Sequence, residues 1–393
     1  MLYRKFKGFT FSEIGIGCYA LGGAYGQKDP QQFRKLLEWA VHLGITFFDT
    51  SDSYGELAEG LLGEIIKPHR NSIFLATKVG MRADKKYELS RKAVQQACEG
   101  SLRRLQTDYI DLYQIHYDDP ITTTEETVSA LDDLVQSGKI RAYGIGHLPM
   151  ERIISYLETG RIFTGQFELS AVARDTLKEI LPVLLAHQAG LIAFSVTGRG
   201  LLSGKYSSKP NFGKDDIRSI DPLFQRDRYQ SAMRIVDKFT KLGRLYGKSC
   251  VQTAIAWTLA QPGIYCALTG PSSIAHLEEN LGGSGWEISS EHILELETFF
   301  LSEDERLIND QKQTIRQILT SQLPSDQMAA IQDLIYVMET SITQQWTHQD
   351  VLMPFFMDVF NARKEINQTS INHLENIRKD LQIIILPAME INR

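Results

Sequence analysis

Eight short apolar segments that alternate with amphipathic segments constrain the fold of this chain more than any other feature of its sequence. From residue 12 onward they are IGIGC, ITFFDT, SIFLATK, YIDLYQIH, IRAYGIG, FTGQFEL, GLIAFSV and IYCALTG. Regular alternation of strand-like and helix-like segments is typical of βα units and of a parallel sheet. Eight units favour a closed (β/α)8 (TIM) barrel, which needs roughly 250 residues.

The first amphipathic segment shows clear helix signals. Asp29 can cap it, Pro30 stands in its first turn and Gly44 follows its end. One face is apolar and comprises Phe33, Leu36, Leu37, Ala40 and Val41. A doubly wound open sheet is the alternative fold, but it would place GxGxxG after the first strand, where GIGCYALGG is a weak and poorly placed match.

The pattern changes after about residue 302, where strand-like segments stop. Apolar residues then recur at helical spacing in two stripes, and Pro324 and Pro354 punctuate the region. The stripes are Met328, Ile331, Ile335, Met338 and Ile342, then Leu374, Ile377, Leu381 and Ile384. We therefore predict a barrel over residues 1–302 and an all-α extension of three or four helices over residues 303–393.

Composition narrows the class of function. With 393 residues and 43% apolar content, the chain can bury a sizeable core. A formal net charge of −6 offers no basic stripe, so we expect no nucleic-acid partner. The N-terminus lacks the apolar region of a signal peptide, and no apolar run approaches the roughly 20 residues that span a bilayer. We expect neither secretion nor membrane insertion.

Four cysteines stand alone in the sequence, without CxxC spacing. Isolated cysteines of this kind are more often buried small apolar residues than metal ligands or disulfides. The set is Cys18, Cys98, Cys250 and Cys266. We expect a cytoplasmic protein that needs no metal.

Four polar residues mark the ends of three of the apolar segments. Catalytic groups of a (β/α)8 barrel lie at the C-terminal ends of its strands. Asp49 ends ITFFD, Tyr54 follows in the next loop, Lys78 ends SIFLATK and His116 ends YIDLYQIH. Each alone could be a cap, a packed rim residue, a solvated strand end or a satisfied polar group. Together they predict one proton-transfer site.

The chemistry of carbonyl reduction gives each of the four a task. Hydride must reach carbon and a proton must reach oxygen, and a phenol has an unperturbed pKa of about 10. We expect Lys78 to lower the pKa of Tyr54 and Asp49 to hold Lys78 in place. His116 is expected to donate a hydrogen bond to the substrate oxygen.

The segments GITFFDTSDSYGELAEGLLGE, FLATKVG and SLRRLQTDYIDLYQIH resemble the aldo-keto reductase family. The resemblance runs from YRKFKGFTFSEIGIG, like the family's hairpin at the barrel bottom, to a helix ending near residue 302. It implies an NAD(P)H-dependent oxidoreductase that interconverts an aldehyde or ketone and an alcohol. The residues that match the family's catalytic tetrad are Asp49, Tyr54, Lys78 and His116.

The resemblance also implies a nicotinamide-cofactor site. Gln166 matches the glutamine that holds the carboxamide, and Ser195, Gly198 and Leu201 belong to the loop over the pyrophosphate. The matching residues at the adenosine are Gly270, Ser272 and Ser273 for the phosphate and Glu279 and Asn280 for the adenine. Gly198 and Gly200 also let backbone N–H groups approach an anion closely. GPSSIAHLEENL alone reads equally as a phosphate site or as an ordinary helix start.

The chain departs from the family pattern at two positions. Gly146-His147 replaces the Ser-Asn of many members, so His147 either substitutes at the carboxamide or faces the substrate. His276 stands where members that prefer NADP often have Arg, which grips a phosphate better. NADP is our expected cofactor and NAD the alternative, with Arg218 and Arg226 as further candidate charges.

The substrate and partners remain open at this stage. The predicted rim of the barrel opening is partly aromatic, but its composition does not identify a substrate. It comprises Tyr19, Tyr25, Met81, Tyr117, His147 and Phe224. A cofactor-binding regulatory or assembly subunit is an alternative, since the helical tail could bind a partner. A dehydratase or lyase is another. The extension of residues 303–393 is the candidate surface for a homo-oligomer or a protein partner.

Overall fold

The computed structural model describes residues 1–23, 25–26, 29–55, 57–81, 87–213, 216–219, 221–364 and 370–391. The chain forms two compact units. One unit comprises Met1–Ser219 and Met233–Ser289, and the other comprises Ile220–Ala232 and Ser290–Arg393. Each unit is described separately below.

Eight parallel strands close the first unit into a barrel. They are β3 (Ile14–Gly17), β4 (Phe47–Asp49), β5 (Phe74–Val79), β6 (Ile110–Ile115), β7 (Ile140–Gly146), β8 (Thr164–Glu168), β9 (Gly190–Phe194) and β10 (Ile264–Thr269). Each strand pairs with the next, and β10 pairs with β3 through Ala267 opposite Ile14. The predicted (β/α)8 barrel is confirmed, and the doubly wound alternative is wrong.

Helices follow each of the barrel strands. They are α1 (Pro30–His42), α2 (Ala58–Ile66), α3 (Arg91–Leu105), α4 (Thr124–Gln136), α5 (Met150–Thr159), α6 (Asp175–Glu179), α7 (Leu181–Ala186), α8 (Arg226–Leu245), α9 (Cys250–Ala260) and α10 (Ile274–Leu281). Helix α1 begins as predicted, because the Asp29 carboxylate accepts a hydrogen bond from the Gln31 backbone N–H. Its predicted face is buried except for Val41, which is half-buried.

An N-terminal hairpin covers the end of the barrel at which the strands begin. It consists of β1 (Tyr3–Phe6) and β2 (Phe9–Ser12), paired antiparallel around a Lys7-Gly8 turn. The rings of Phe9 and Phe11 lie 5.3 and 4.8 Å from that of Phe74, the first residue of β5. This agrees with the hairpin that the resemblance implied and leaves the opposite end of the barrel for a site.

The second unit is helical and has its own apolar core. Its helices are α11 (Ser290–Thr320), α12 (Gln327–Thr343), α13 (Gln349–Lys364) and α14 (Ile371–Ile391). Buried residues of both predicted stripes meet in this core, which includes Ile331, Leu334, Met338, Leu374, Ile377 and Leu381. The predicted C-terminal helical extension is confirmed. Among the described residues, no helix combines the length and hydropathy needed to cross a bilayer.

Two sequence-based expectations about this region are wrong. The helix expected to end near residue 302 continues to Thr320, because the sequence between Ser290 and Thr320 contains neither Gly nor Pro to stop it. Pro354 does not separate helices but lies in the second turn of α13. A proline there removes one backbone hydrogen bond, and the helix tolerates the loss near its start.

Candidate active site

The C-terminal ends of three neighbouring strands bring charged side chains together. Asp49 is the last residue of β4, Lys78 lies near the end of β5 and His116 directly follows β6. Parallel pairing aligns these ends, since Asp49 lies opposite Ala76 and Lys78 lies opposite Gln114. All three predicted residues are buried, with at most 3% of the residue surface exposed. The expectation that they converge at one end of the barrel is confirmed.

The Asp49 carboxylate lies at the centre of a buried hydrogen-bond network. Lys78 Nζ donates to Asp49 Oδ1 over 2.6 Å and to the Thr50 carbonyl oxygen over 2.8 Å. The amides of Gln114 and Gln166 also donate to Asp49, over 3.3 and 3.4 Å. Burying an ion pair is unfavourable unless its polar atoms are hydrogen-bonded. The contacts of this network provide those hydrogen bonds and hold Lys78 in one orientation.

The ring of Tyr54 stands between the lysine and the histidine. Its centroid lies 4.8 Å from Lys78 Nζ and 5.7 Å from the His116 ring. Burial, followed by the charge of Asp49, raises the pKa of Tyr54 well above its usual value of 10. The expected net lowering of the Tyr54 pKa is therefore wrong, because burial and the charge of Asp49 outweigh the effect of the Lys78 charge.

His116 is held neutral by its surroundings. Burial, with smaller contributions from Lys78 and His147, lowers its pKa to about 2. Its Nδ1 atom lies 3.3 Å from Ser51 Oγ and 3.4 Å from Ser53 Oγ. A neutral imidazole carries one N–H, so these hydroxyl contacts determine which nitrogen is the donor.

Aromatic rings surround the opening beside Tyr54. The Tyr19 ring lies 5.1 Å from the ring of Tyr54 and 5.9 Å from that of Tyr25. The His147 ring lies 5.6 Å from that of His116 and packs near Tyr117 as well. These predicted rim residues therefore cluster around the buried group. His147 also has a φ of 51°, in the left-handed region.

Two other predicted rim residues lie in different surroundings. Met81 forms an isolated bridge with Tyr87, and both are at least partly exposed. Phe224 is buried and belongs to the second unit, so its place at the rim stays a prediction.

Strand β8 and the segment after β9 carry the residues predicted to contact the nicotinamide half of a cofactor. Gln166 is 6% exposed, and its Oε1 has no hydrogen-bond donor within the described part of the chain. Ser195 and Gly198 have φ values of 55° and 57°, and the Gly198 N–H donates to the Ser195 carbonyl oxygen. Leu201 is fully buried and anchors the following turn. The result is a tight loop next to an unsatisfied amide oxygen.

Helix α10 carries the residues predicted at the adenosine half. Ser273 caps the helix by accepting from the His276 backbone N–H, and Ser272 Oγ lies 2.9 Å from His276 Nδ1. Gly270 is exposed directly after β10. Further along the helix, Glu279 is half-buried and Asn280 is buried. Because β10 is a barrel strand, this turn lies at the same end of the barrel as Asp49.

The two arginines considered as extra phosphate ligands are already engaged with carboxylates. Arg218 donates to both oxygens of Asp216 and stacks over Phe212. Arg226, in the second unit, forms an ion pair with Asp333. Their charges are compensated within the protein.

Several polar residues of this site were not singled out from the sequence. Gln114 lies on β6, two positions before His116, so the alternation of the strand predicts that both side chains lie on one face and could have identified Gln114. The contacts of Ser51, Ser53 and the Thr50 carbonyl depend on the loop after β4, and no spacing rule reveals them. The Arg199–Glu168 ion pair, 2.9 Å long, was also missed because it joins two strand ends distant in sequence.

The fold and the buried group together define a (β/α)8 barrel with a proton-bearing cluster in its mouth. A sequence model of the Aldo/keto reductase family matches residues 13–299. Aldo-keto reductase YhdN of Bacillus subtilis (strain 168) is 34% identical over 300 residues, which cover 74% of this chain and 90% of that protein.

Solved structures give the same result. The glycerol dehydrogenase AKR11B4 from Gluconobacter oxydans matches with a TM-score of 0.70 and 29% identity, covering 77% of this chain and 95% of that one. The holo form of aldo-keto reductase AKR11C1 from Bacillus halodurans matches with a TM-score of 0.64 and 27% identity, covering 76% and 96%.

The chain belongs to the aldo/keto reductase family. It is accordingly an NAD(P)-dependent oxidoreductase of carbonyl or alcohol compounds. These comparisons do not favour the alternative of a regulatory subunit.

Proposed function

We propose that this protein reduces an aldehyde or ketone with NADPH, and oxidises the corresponding alcohol, with Tyr54 as the general acid and base. The observation that carries the proposal is the position of the Tyr54 ring, 4.8 Å from a buried lysine ammonium and beside the His116 ring. A phenol with a raised pKa keeps its proton at neutral pH and is available as an acid.

The other three residues of the tetrad support that proton transfer. When Tyr54 releases its proton, the nearby Lys78 ammonium stabilises the phenolate that remains. Asp49 keeps Lys78 in place through the 2.6 Å ion pair. His116 donates a hydrogen bond to the substrate oxygen and orients the carbonyl.

The residues around Tyr54 fit a nicotinamide cofactor. The buried Gln166 Oε1 lacks a donor among the described residues, and the amide N–H groups of a carboxamide would satisfy it. Ser195, Gly198 and Leu201 would hold the pyrophosphate, and the turn around Gly270, Ser272 and Ser273 would hold the adenosine phosphate. Glu279 and Asn280 would contact the adenine. Such a cofactor supplies the hydride, and the chain supplies orientation and the proton.

NADP is our proposed cofactor, although His276 is a weaker phosphate ligand than arginine. Ser272 and Ser273 offer hydroxyl groups at the start of α10, and both are exposed. A helix N-terminus with exposed hydroxyls attracts a phosphate group.

The decisive experiment follows nicotinamide absorbance with a panel of aldehydes, ketones and small polyols, including glycerol, the substrate named for the Gluconobacter relative. Wild type should turn over, and Tyr54→Phe should bind NADPH but lose activity by at least about a hundredfold. Tyr3→Phe is the matched control, since Tyr3 lies in the hairpin at the other end of the barrel. Product formation without any change in nicotinamide absorbance would contradict the proposal and support a lyase.

The two parts of the chain have different roles in the proposed function. We assign the oxidoreductase activity to residues 1–302 and the binding of a second copy or a protein partner to the extension, residues 303–393. Exposed apolar side chains on α13 support a binding role, namely Val351, Met353, Met357 and Phe360. Sedimentation of wild type against Met357→Lys tests it, because a charge in an apolar interface should weaken association.

A further inference from the structure

Side-chain hydroxyls connect a carboxylate to the buried His116. Ser51 Oγ lies 3.2 Å from Asp52 Oδ1 and 2.8 Å from Ser53 Oγ. His116 Nδ1 lies within 3.4 Å of both serine oxygens. The four groups therefore form one chain of hydrogen bonds from Asp52 to the imidazole.

We infer that Asp52 is a positioning residue that selects which ring nitrogen of His116 carries the proton, acting through the hydroxyls of Ser51 and Ser53. The inference deepens the proposed function, in which His116 donates a hydrogen bond to the substrate oxygen. That donation requires the proton on Nε2, because Nδ1 faces the two serines.

When Asp52 is ionised, each hydroxyl in this chain of hydrogen bonds must donate in the direction of the carboxylate. The carboxylate only accepts, so the Ser51 hydroxyl donates to it. The 2.8 Å contact between the two serine oxygens then needs the Ser53 hydrogen between them. Ser51 Oγ also accepts from the Ser53 backbone N–H over 3.1 Å, which fills its two acceptor sites, so Ser53 Oγ is the acceptor that faces His116. Nδ1 then carries the imidazole proton and Nε2 is bare.

When Asp52 is protonated, the direction of donation along these hydrogen bonds is reversed. Its carboxyl group donates to Ser51 Oγ, which frees one serine hydroxyl to donate to His116 Nδ1. Nδ1 then accepts, and the single proton of the neutral ring moves to Nε2. In this state His116 is a hydrogen-bond donor for a carbonyl oxygen.

The surroundings of Asp52 allow both states near neutral pH. Burial and the nearby Glu59 carboxylate raise the pKa of Asp52 to about 7, while Ser51, Arg104 and the Ser53 N–H act in the opposite direction. Two tyrosines also face the Asp52 carboxyl group. Tyr113 lies on β6, and Tyr117 directly follows His116. Glu59 itself accepts hydrogen bonds from Arg104 Nε over 2.6 Å and from Thr77 Oγ1 over 2.7 Å.

The consequence is a protonation switch for carbonyl reduction. Below neutral pH, protonated Asp52 keeps Nε2–H available. As pH rises through about 7, Asp52 ionises and the donor is lost. We expect kcat/KM for reduction to fall by about tenfold or more across this range, since one oriented donor is removed.

Nitrogen-15 NMR of the histidine rings measures this switch without any substrate. His116 should pass from the Nε2–H to the Nδ1–H form between about pH 5.5 and about pH 8.5, with its signals assigned by their loss in His116→Gln. Asp52→Asn and Ser51→Ala should each abolish the change, because the first cannot ionise and the second breaks the chain. Asp29→Asn, which makes the same charge change and keeps a good helix cap, should preserve it.

The outcomes separate this inference from the proposed function. A His116 form that is independent of pH in wild type, or a pH step that survives in Asp52→Asn, would overturn the inference even if reduction depends on Tyr54. A switch that vanishes in Asp52→Asn would establish the inference even if no carbonyl compound is turned over. A kcat/KM profile that loses its step in Asp52→Asn, with KM for NADPH unchanged, would support both.

Discussion

Lys78 Nζ lies 2.6 Å from Asp49 Oδ1, and both side chains are almost fully buried. Asp49→Asn should destabilise the protein by about 3–5 kcal/mol, because it leaves the lysine charge buried without a partner. Lys78→Met combined with Asp49→Asn should be closer to wild type in stability than Asp49→Asn alone. Urea unfolding of wild type, Asp49→Asn, Lys78→Met and the double variant gives the coupling energy.

The exposed pair Lys241–Asp237 is the matched control for this prediction. Its atoms are also 2.6 Å apart, but both side chains are more than 60% exposed. Asp237→Asn should change the free energy of unfolding by less than about 0.5 kcal/mol. Equal costs at the two sites would contradict the argument from burial.

His116 should make the stability of the protein depend on pH. Its folded-state pKa of about 2 lies below the unfolded value of 6.5, so the unfolded state binds the extra proton. The contribution of His116 is present above pH 6.5 and is lost by about 1.4 kcal/mol per pH unit as pH falls toward 2. Denaturant unfolding in the acid range should therefore be less pH-dependent in His116→Gln than in wild type, whereas the exposed His187→Gln should retain the wild-type slope.

Gln166 should contribute to cofactor affinity through its amide oxygen, which has no hydrogen-bond donor among the residues that the structure describes. Gln166→Ala is expected to weaken NADPH binding roughly tenfold to hundredfold, because a hydrogen bond in a buried site is lost. Quenching of protein fluorescence by NADPH measures the effect. Gln31→Ala, at an exposed position of α1, serves as the control, and an equal loss there would argue against a specific contact.

Position 276 should influence the choice between NADP and NAD. His276→Arg places a guanidinium four residues from Ser272 and should tighten NADPH binding by about tenfold while leaving NADH unchanged. His187→Arg adds the same group at a distant exposed site. An equal gain in affinity for NADH and NADPH would show that the arginine does not bind the extra phosphate of NADPH.

Neighbouring residues of α14 test the core of the second unit. Leu381 is fully buried, whereas Ile383 is 74% exposed. Leu381→Ala should cost about 2–5 kcal/mol, and Ile383→Ala should cost less than about 0.5 kcal/mol. Hydrogen exchange of the α14 amides reports the loss in this unit, and similar protection in both variants would mean that the core does not stabilise the helix.

The barrel could be predicted from the sequence because its signal is local. Each strand is an apolar run followed by a polar residue, and parallel pairing brings the ends of those runs together. Asp49, Lys78 and His116 were identified by that rule alone. The Asp29 cap and the buried face of α1 follow equally from residue type and spacing.

Other features depend on packing that spacing does not encode. The direction of the Tyr54 pKa shift depends on how completely the ring is buried and on the pairing of Lys78 with Asp49. The chain from Asp52 to His116 requires the detailed path of the loop after β4. The sequence did contain the signal for an uninterrupted α11, since no helix-breaking residue lies near position 302. The helix end was placed there because the strand-like segments stop at about the same position.

The continuity of α11 has a practical consequence for shortening the gene. Its 31 residues extend for about 46 Å, and a stop codon after residue 302 would cut the helix near its middle. The last four carbonyl groups of the remaining piece would lose their amide donors, and the entire apolar core of the second unit would be deleted with the residues beyond. A truncation placed in the loop between Thr320 and Gln327 would preserve every turn of α11 but would expose Ile315, Ile318 and Leu319, which are buried in that core.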